Sequence, residues 1–129
     1  MISESAIVCQ VQPANPTIVL RGEDVSLNWE SCEGNAGEAI RILYFKREMR
    51  GGGVPENIAS RRETDGGFAM SAPFRDKKKF DARALQELKI FNVQTNDGSY
   101  AYTLEIQYTA NGNETFIGSF RVFVEVKGK

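Results

Sequence analysis

The chain of 129 residues carries 16 lysines and arginines against 17 aspartates and glutamates, is 41% hydrophobic and has no histidine. That length suits a single domain with a real core, and the near-zero net charge provides no field to draw nucleic acid or an anionic membrane surface. The commonest general base and metal ligand is missing, and no apolar run approaches the roughly 18 residues of a membrane span.

Ile7, Cys9 and Val11 alternate as a first strand, which Pro13 and Pro16 interrupt and Thr17 to Leu20 resumes. Prolines at these places fit an edge strand that breaks and restarts. Arg21 to Asp24 reads as a turn, and Val25, Leu27 and Trp29 then alternate with Ser26, Asn28 and Glu30 as a half-buried strand. A Gly/Asn-rich loop from Glu33 to Glu38 precedes a strand over Ile40 to Arg47. Ile42 and Tyr44 are expected on its inner face, with Arg41, Leu43 and Phe45 on the other.

Residues 48 to 79 show the least periodicity. Arg50-Gly51-Gly52-Gly53 is a turn, Asn57 to Ser60 and Phe68 to Phe74 are candidate short strands, and Asp76 to Lys79 is expected as a solvated hairpin tip. Phe80, Ala84, Leu85 and Leu88 have helical spacing behind Asp81 as a cap, so a single helical turn before Leu88 stands as a competing expectation. Leu88 and Ile90 resume strand alternation. After the polar turn at Asn96 to Ser99, Tyr100, Tyr102, Leu104, Ile106 and Tyr108 form a long alternating run. Asn111-Gly112 marks a tight turn. Phe116 to Val126 returns as a last strand, with Gly118 expected at a bulge.

Two segments, Gly22-x-x-Val25-x-Leu27-x-Trp29 and Leu88-x-Ile90 followed by Asn96-x-Gly98-x-Tyr100-x-Tyr102, resemble strands B, E and F of the immunoglobulin superfamily. The resemblance implies an all-β, Greek-key β-sandwich of variable type, with two antiparallel sheets in one domain over residues 1 to 129 (core about 5 to 126). Tyr100 then stands at the tyrosine corner. Trp29 and Tyr102 replace the cysteines that usually join the sheets, and Tyr44 takes the place of the usual strand-C tryptophan. A core pin of Trp29, Tyr44 and Tyr102 is expected in place of the sulfur bridge. Cys9 and Cys32 are either two buried thiols or, as the resemblance implies, a disulfide moved to the domain's edge. The second reading places the chain outside the cytosol. The missing inter-sheet cysteines and this relocated pair are similar to the membrane-distal domains of hydroid allorecognition receptors. That resemblance implies an ectodomain of a single-pass surface protein that binds its own kind on an opposing cell. Residues 1 to 20 hold no secretory leader, so on this reading leader and anchor lie outside the sequence.

No phosphate loop, zinc spacing or nucleophile–base set can be assembled, so neither an enzyme nor a cofactor is expected. With Tyr44 and Tyr102 inward, alternation sends Leu43, Phe45, Ile117, Arg121 and Phe123 outward beside Thr103 and Glu105. An apolar cluster of this kind marks a partner face, and a short F–G turn favours docking of sheet on sheet between two copies of the domain. The triplet Asn113-Glu114-Thr115 offers a glycan site at one end of that face. Competing expectations are a receptor for a different protein through the same face, and a spacer in a tandem array. Neither nucleic acid nor direct membrane contact is expected.

Overall fold

A computed structural model describes residues 7–34, 38–83, 86–110 and 114–128. The strands are β1 (Val8–Val11), β2 (Thr17–Leu20), β3 (Val25–Asn28), β4 (Glu30–Glu33), β5 (Ala39–Met49), β6 (Glu56–Arg62), β7 (Ala69–Met70), β8 (Phe80–Arg83), β9 (Glu87–Ile90), β10 (Tyr100–Ala110) and β11 (Glu114–Lys127). They form a six-stranded sheet in the order β2-β11-β10-β5-β6-β7, a three-stranded sheet β3-β9-β8, and a two-stranded ladder β1-β4. All pairings are antiparallel except β2 with β11, which is parallel.

The expectation of two antiparallel sheets therefore needs correcting to three sheets, the largest of them with one parallel pairing, and Trp29 is the physical reason. It falls outside both β3 and β4, donating its backbone N–H to the carbonyl of Gln86 at 3.2 Å. Ser31 follows in the left-handed region at φ 53°. After this break the chain leaves β9 and pairs instead with β1, where Cys9 sits directly opposite Cys32. Those two cysteines are joined as a disulfide. Closing a loop of that span constrains the unfolded chain by about 3 kcal/mol on the entropy model.

Where a helical turn is expected behind Asp81, Phe80–Arg83 is strand, and Ala84 and Leu85 lie outside the described residues. Phe80 to Arg83 pairs with β9, Asp81 lying opposite Lys89, because Phe80 and Leu88 both bury on one side of a hairpin. Of the segment Phe68 to Phe74, only Ala69–Met70 is a strand, and Ala72–Phe74 is a 3₁₀ turn with Pro73 in its first turn. Gly118 is no bulge. It pairs with Ile106 in an unbroken β10–β11 ladder, and the irregularities lie elsewhere, at Arg41 of β5 opposite Gln107/Tyr108 and at Ile58 of β6 opposite Phe45/Lys46. Gly22 is required where it stands, at φ +92° in the turn whose N–H reaches the carbonyl of Val93.

The core lies between the sheets. Trp29, Phe45, Tyr102, Phe80, Leu27, Ile58, Leu88 and Leu104 are fully enclosed there. No sulfur crosses it. Trp29 packs on Phe45 with ring centroids 5.8 Å apart, and Phe45 on Phe68 at 4.9 Å. Tyr44 is not part of this pin: it is half-buried on the opposite side of β5, and Phe45 fills the inner place. Inward and outward are thus exchanged along β5. Leu43 and Phe45 belong to the core, whereas Ile42, Tyr44 and Lys46 face out.

The tyrosine corner also lies elsewhere than expected. The hydroxyl of Tyr102, not Tyr100, donates to the backbone carbonyl of Asp97 at 2.9 Å. The 3₁₀ turn Thr95–Ser99 lifts Asp97 over the start of β10, and Gly98 permits the approach. A Cβ there would come within 3.3 Å of the Val124 carbonyl and a Val126 methyl. Tyr100 instead lies under the guanidinium of Arg47, 4.2 Å from ring centre to Cζ. With the corner at Tyr102, it is Leu104, two residues on and fully buried, that occupies the place of the usual cysteine.

Burial pushes the Tyr102 phenol above its ordinary value, and the Asp97 charge adds to the shift. A raised acid pKa means that the neutral form is favoured in the folded state. Its contribution is intact below about pH 10 and is lost at higher pH, where the unfolded chain releases a proton that the folded one keeps. Tyr102→Phe is expected to cost about 1–2 kcal/mol at neutral pH. It should also flatten the loss of stability in denaturant titrations taken from about pH 9 to about pH 11. An equal alkaline loss in both proteins would contradict this assignment.

Candidate interaction face

The outward face of the six-stranded sheet is an ordered array set by strand register. On β10, Ala101, Thr103, Glu105 and Gln107 are flanked on the β5 side by Glu48, Lys46, Tyr44 and Ile42, and on the β11 side by Phe123, Arg121, Ser119 and Ile117. Lys46 Nζ reaches Glu105 Oε2 at 2.9 Å, with both side chains largely shielded, and Arg121 Nη2 reaches Glu48 Oε2 at 3.4 Å. Lys46 also lies 5.1 Å from the centre of the Tyr44 ring.

Between these pairs Thr103 is the small residue, with a cation on either side. The result is an open cleft of about 370 Å³ over Thr103, walled by Lys46 and Glu48 on β5 and by Ser119 and Arg121 on β11. Phe123 is half-buried with Arg50 over it at 4.5 Å and Arg121 at 5.8 Å. Ile117 remains 58% exposed at the far end of the face.

Of the residues expected to gather here, Thr103, Glu105, Ile117, Arg121 and Phe123 share the outer face. Leu43 and Phe45 do not, since they are in the core. The expected apolar cluster is therefore a mosaic of matched charges, small polar groups and a few apolar positions. Tyr44, Lys46, Glu48 and Ser119 lie on this face and were not anticipated. The signal for the first three was present in the alternation Tyr44-x-Lys46-x-Glu48, whose two charges mark a solvated row once Phe45 is placed inside. Asn113 lies outside the described residues.

The fold has a counterpart among solved structures. The structure of murine CRIg superposes with a TM-score of 0.70 over 97% of this chain and 99% of that chain, at 15% sequence identity. This domain is an immunoglobulin-like β-sandwich. No protein-family model and no curated protein matches the sequence. Within the immunoglobulin-like domain, the described residues include no group of three or more acidic, histidine or cysteine side chains placed to hold a metal ion. Among the described residues, no helix is long and apolar enough to cross a membrane.

Proposed function

We propose that this immunoglobulin-like domain is an extracellular recognition module that binds a different protein through the outer face of its six-stranded sheet. The observation that carries the reading is the cleft over Thr103, set among fixed and oppositely charged side chains on three adjacent strands. Charge mosaics of this kind govern register and partner choice more than bulk affinity. A stable homodimer uses a larger and more apolar patch, whereas the large apolar residues of β5 that would build one, Leu43 and Phe45, are buried. The disulfide supports the extracellular placement, since such bonds persist in oxidising compartments.

The variable-type assignment is supported by the parallel pairing of β2 with β11 and by β6 and β7, which extend the sheet beyond β5. The resemblance to hydroid allorecognition receptors supports a second reading, homophilic binding by the same face. It rests on the Cys9–Cys32 bond together with a core that no sulfur crosses.

Multimerised domain should be screened against an array of ectodomains and against itself, with Arg121→Glu and Thr103→Arg as face variants. The expected result is a heterologous partner whose binding falls at least about tenfold in both variants, a loss of about 1.4 kcal/mol, while sedimentation shows a monomer. Self-clustering abolished by the same variants would favour the homophilic reading. Partner binding insensitive to both would remove this face from the proposal.

A further inference from the structure

On the side away from β10, β2 covers β11 only from Val124 to Lys127. Upstream of that overlap, Thr115 to Arg121 line an open edge of the six-stranded sheet. The ladder fixes where their backbone groups point. Phe123 donates its N–H away from β10, to Asn15 Oδ1 at 3.0 Å, and the Lys127 carbonyl accepts from Arg21 on the same side. In an unbroken antiparallel ladder, bonded and non-bonded pairs alternate. Thr115, Ile117, Ser119 and Arg121 therefore direct their N–H and C=O groups the same way as Phe123. Among the described residues no strand covers these groups and no hydrogen bond reaches them.

No other free strand edge among the described residues is longer than 4 residues. Proteins guard a long edge with proline, a bulge or several charges. The stretch from Thr115 to Arg121 has no proline and no bulge, and Arg121 is its one charge. Phe116 and Ile117, on opposite faces of the strand, both expose apolar surface.

The geometry points to strand addition at this edge: an extended segment of a partner protein pairs with Thr115 to Arg121 and continues the sheet past β11. A row of alternating free N–H and C=O groups is matched by a second extended backbone, and flanking side chains then supply selectivity. Apolar residues of the incoming strand lie beside Phe116 and Ile117. An acidic one lies beside Arg121, which is half exposed and held to Glu48 only at 3.4 Å. A second copy of this domain is the poorer occupant. Two rigid sandwiches meeting edge to edge touch along one strand, short of the roughly 1,200–2,000 Å² that a stable pair buries. A flexible segment can lap over both faces of β11. The edge adjoins the outer face but does not depend on it, since backbone groups and not the cleft over Thr103 make the bonds.

The probe is the end-blocked peptide Glu-Val-Thr-Val-Thr-Val-Thr-Glu, with one form N-methylated at its valines and another at its threonines. Amide hydrogen exchange of the domain, followed by NMR, reads the binding. In the free domain the N–H groups of Thr115, Ile117, Ser119 and Arg121 should exchange fast, and those of Phe116, Gly118 and Phe120, directed at β10, slowly. Saturating peptide should slow the first set at least about tenfold. One methylated form should act like the parent peptide and the other should not, because only alternate N–H groups of an added strand face the edge. Ser119→Pro removes an edge N–H and leaves the β10 ladder whole, so it should weaken the peptide at least about fivefold. Ile117→Pro supplies the same comparison if Ser119→Pro does not fold. Thr103→Arg, on the outer face, should leave the peptide's effect unchanged. Protection already present in the free domain, protection that grows with domain concentration alone, or no protection at saturating peptide would overturn strand addition here. Equal behaviour of the two methylated forms, or an effect abolished by Thr103→Arg, would overturn it as well.

Discussion

Phe45→Ala is expected to destabilise the domain by about 3–5 kcal/mol, whereas Tyr44→Ala one residue earlier should cost less than about 1 kcal/mol. Phe45 is fully enclosed and touches the rings of both Trp29 and Phe68. Truncating it removes the transfer free energy of a whole ring and leaves a cavity that two rigid aromatic neighbours cannot close. Tyr44 is only half-buried, and its ring faces Lys46 and solvent. With a total stability on the order of 5–15 kcal/mol for a domain of this kind, the first substitution takes away a large share of it. Urea titrations of the two variants, read at constant slope, decide the matter. The reverse ordering would mean that β5 presents the opposite face, and the array around Thr103 would then be buried.

That comparison bears directly on how far sequence reasoning reaches in this chain. The strands around Leu27, Leu88 and Leu104 are legible because apolar and polar residues alternate cleanly there, and period two is what a half-buried strand requires. On β5 the alternation is ambiguous. One row reads Arg41, Leu43, Phe45, Arg47 and the other Ile42, Tyr44, Lys46, Glu48, so each carries two large apolar residues and charge at its end. The choice between them is made by packing across the sandwich. Trp29 fills the space near Phe45 and leaves no room for Tyr44 to turn in. A parity error of one residue moves the whole strand to the other face, and the partner surface changed character with it.

The corner shows a different limit. Tyr100 and Tyr102 lie on the same side of β10, so periodicity does not distinguish them. What selects Tyr102 is the height of the Thr95–Ser99 turn, which is set by a reciprocal capping box between Gln94 and Asp97. The disulfide was legible only as a pair of cysteines at a plausible spacing. Its position follows from the break at Trp29, which sends β4 to β1. The basic run Asp76 to Lys79 reads as a solvated tip, and Arg75 to Lys78 are indeed exposed. Lys79 is drawn out of it by a carboxylate 18 residues away in sequence.

That carboxylate is Asp97, 2% exposed, and it is the buried charge on which the end of the sandwich depends. Its Oδ2 accepts from Lys79 Nζ at 2.5 Å and from the backbone N–H of Gln94 at 2.7 Å. Lys79 Nζ also lies within 3.4 Å of the carbonyls of Phe91 and Asn92. One ammonium thereby ties the chain before β8 to the chain after β9 and to the turn that carries the Tyr102 hydrogen bond. Lys79→Met should cost about 3–5 kcal/mol, because it leaves an almost fully enclosed carboxylate with a single neutral donor. Asp97→Asn should cost less. Lys79 is one-third exposed and can turn to water once its partner is gone. The double variant Lys79→Met/Asp97→Asn should be more stable than Lys79→Met alone, with a coupling of at least about 1 kcal/mol in the cycle. Measured additivity would show that the two side chains act separately. In that case the stability of the turn would have to come from the Gln94–Asp97 capping box and the Tyr102 hydroxyl alone.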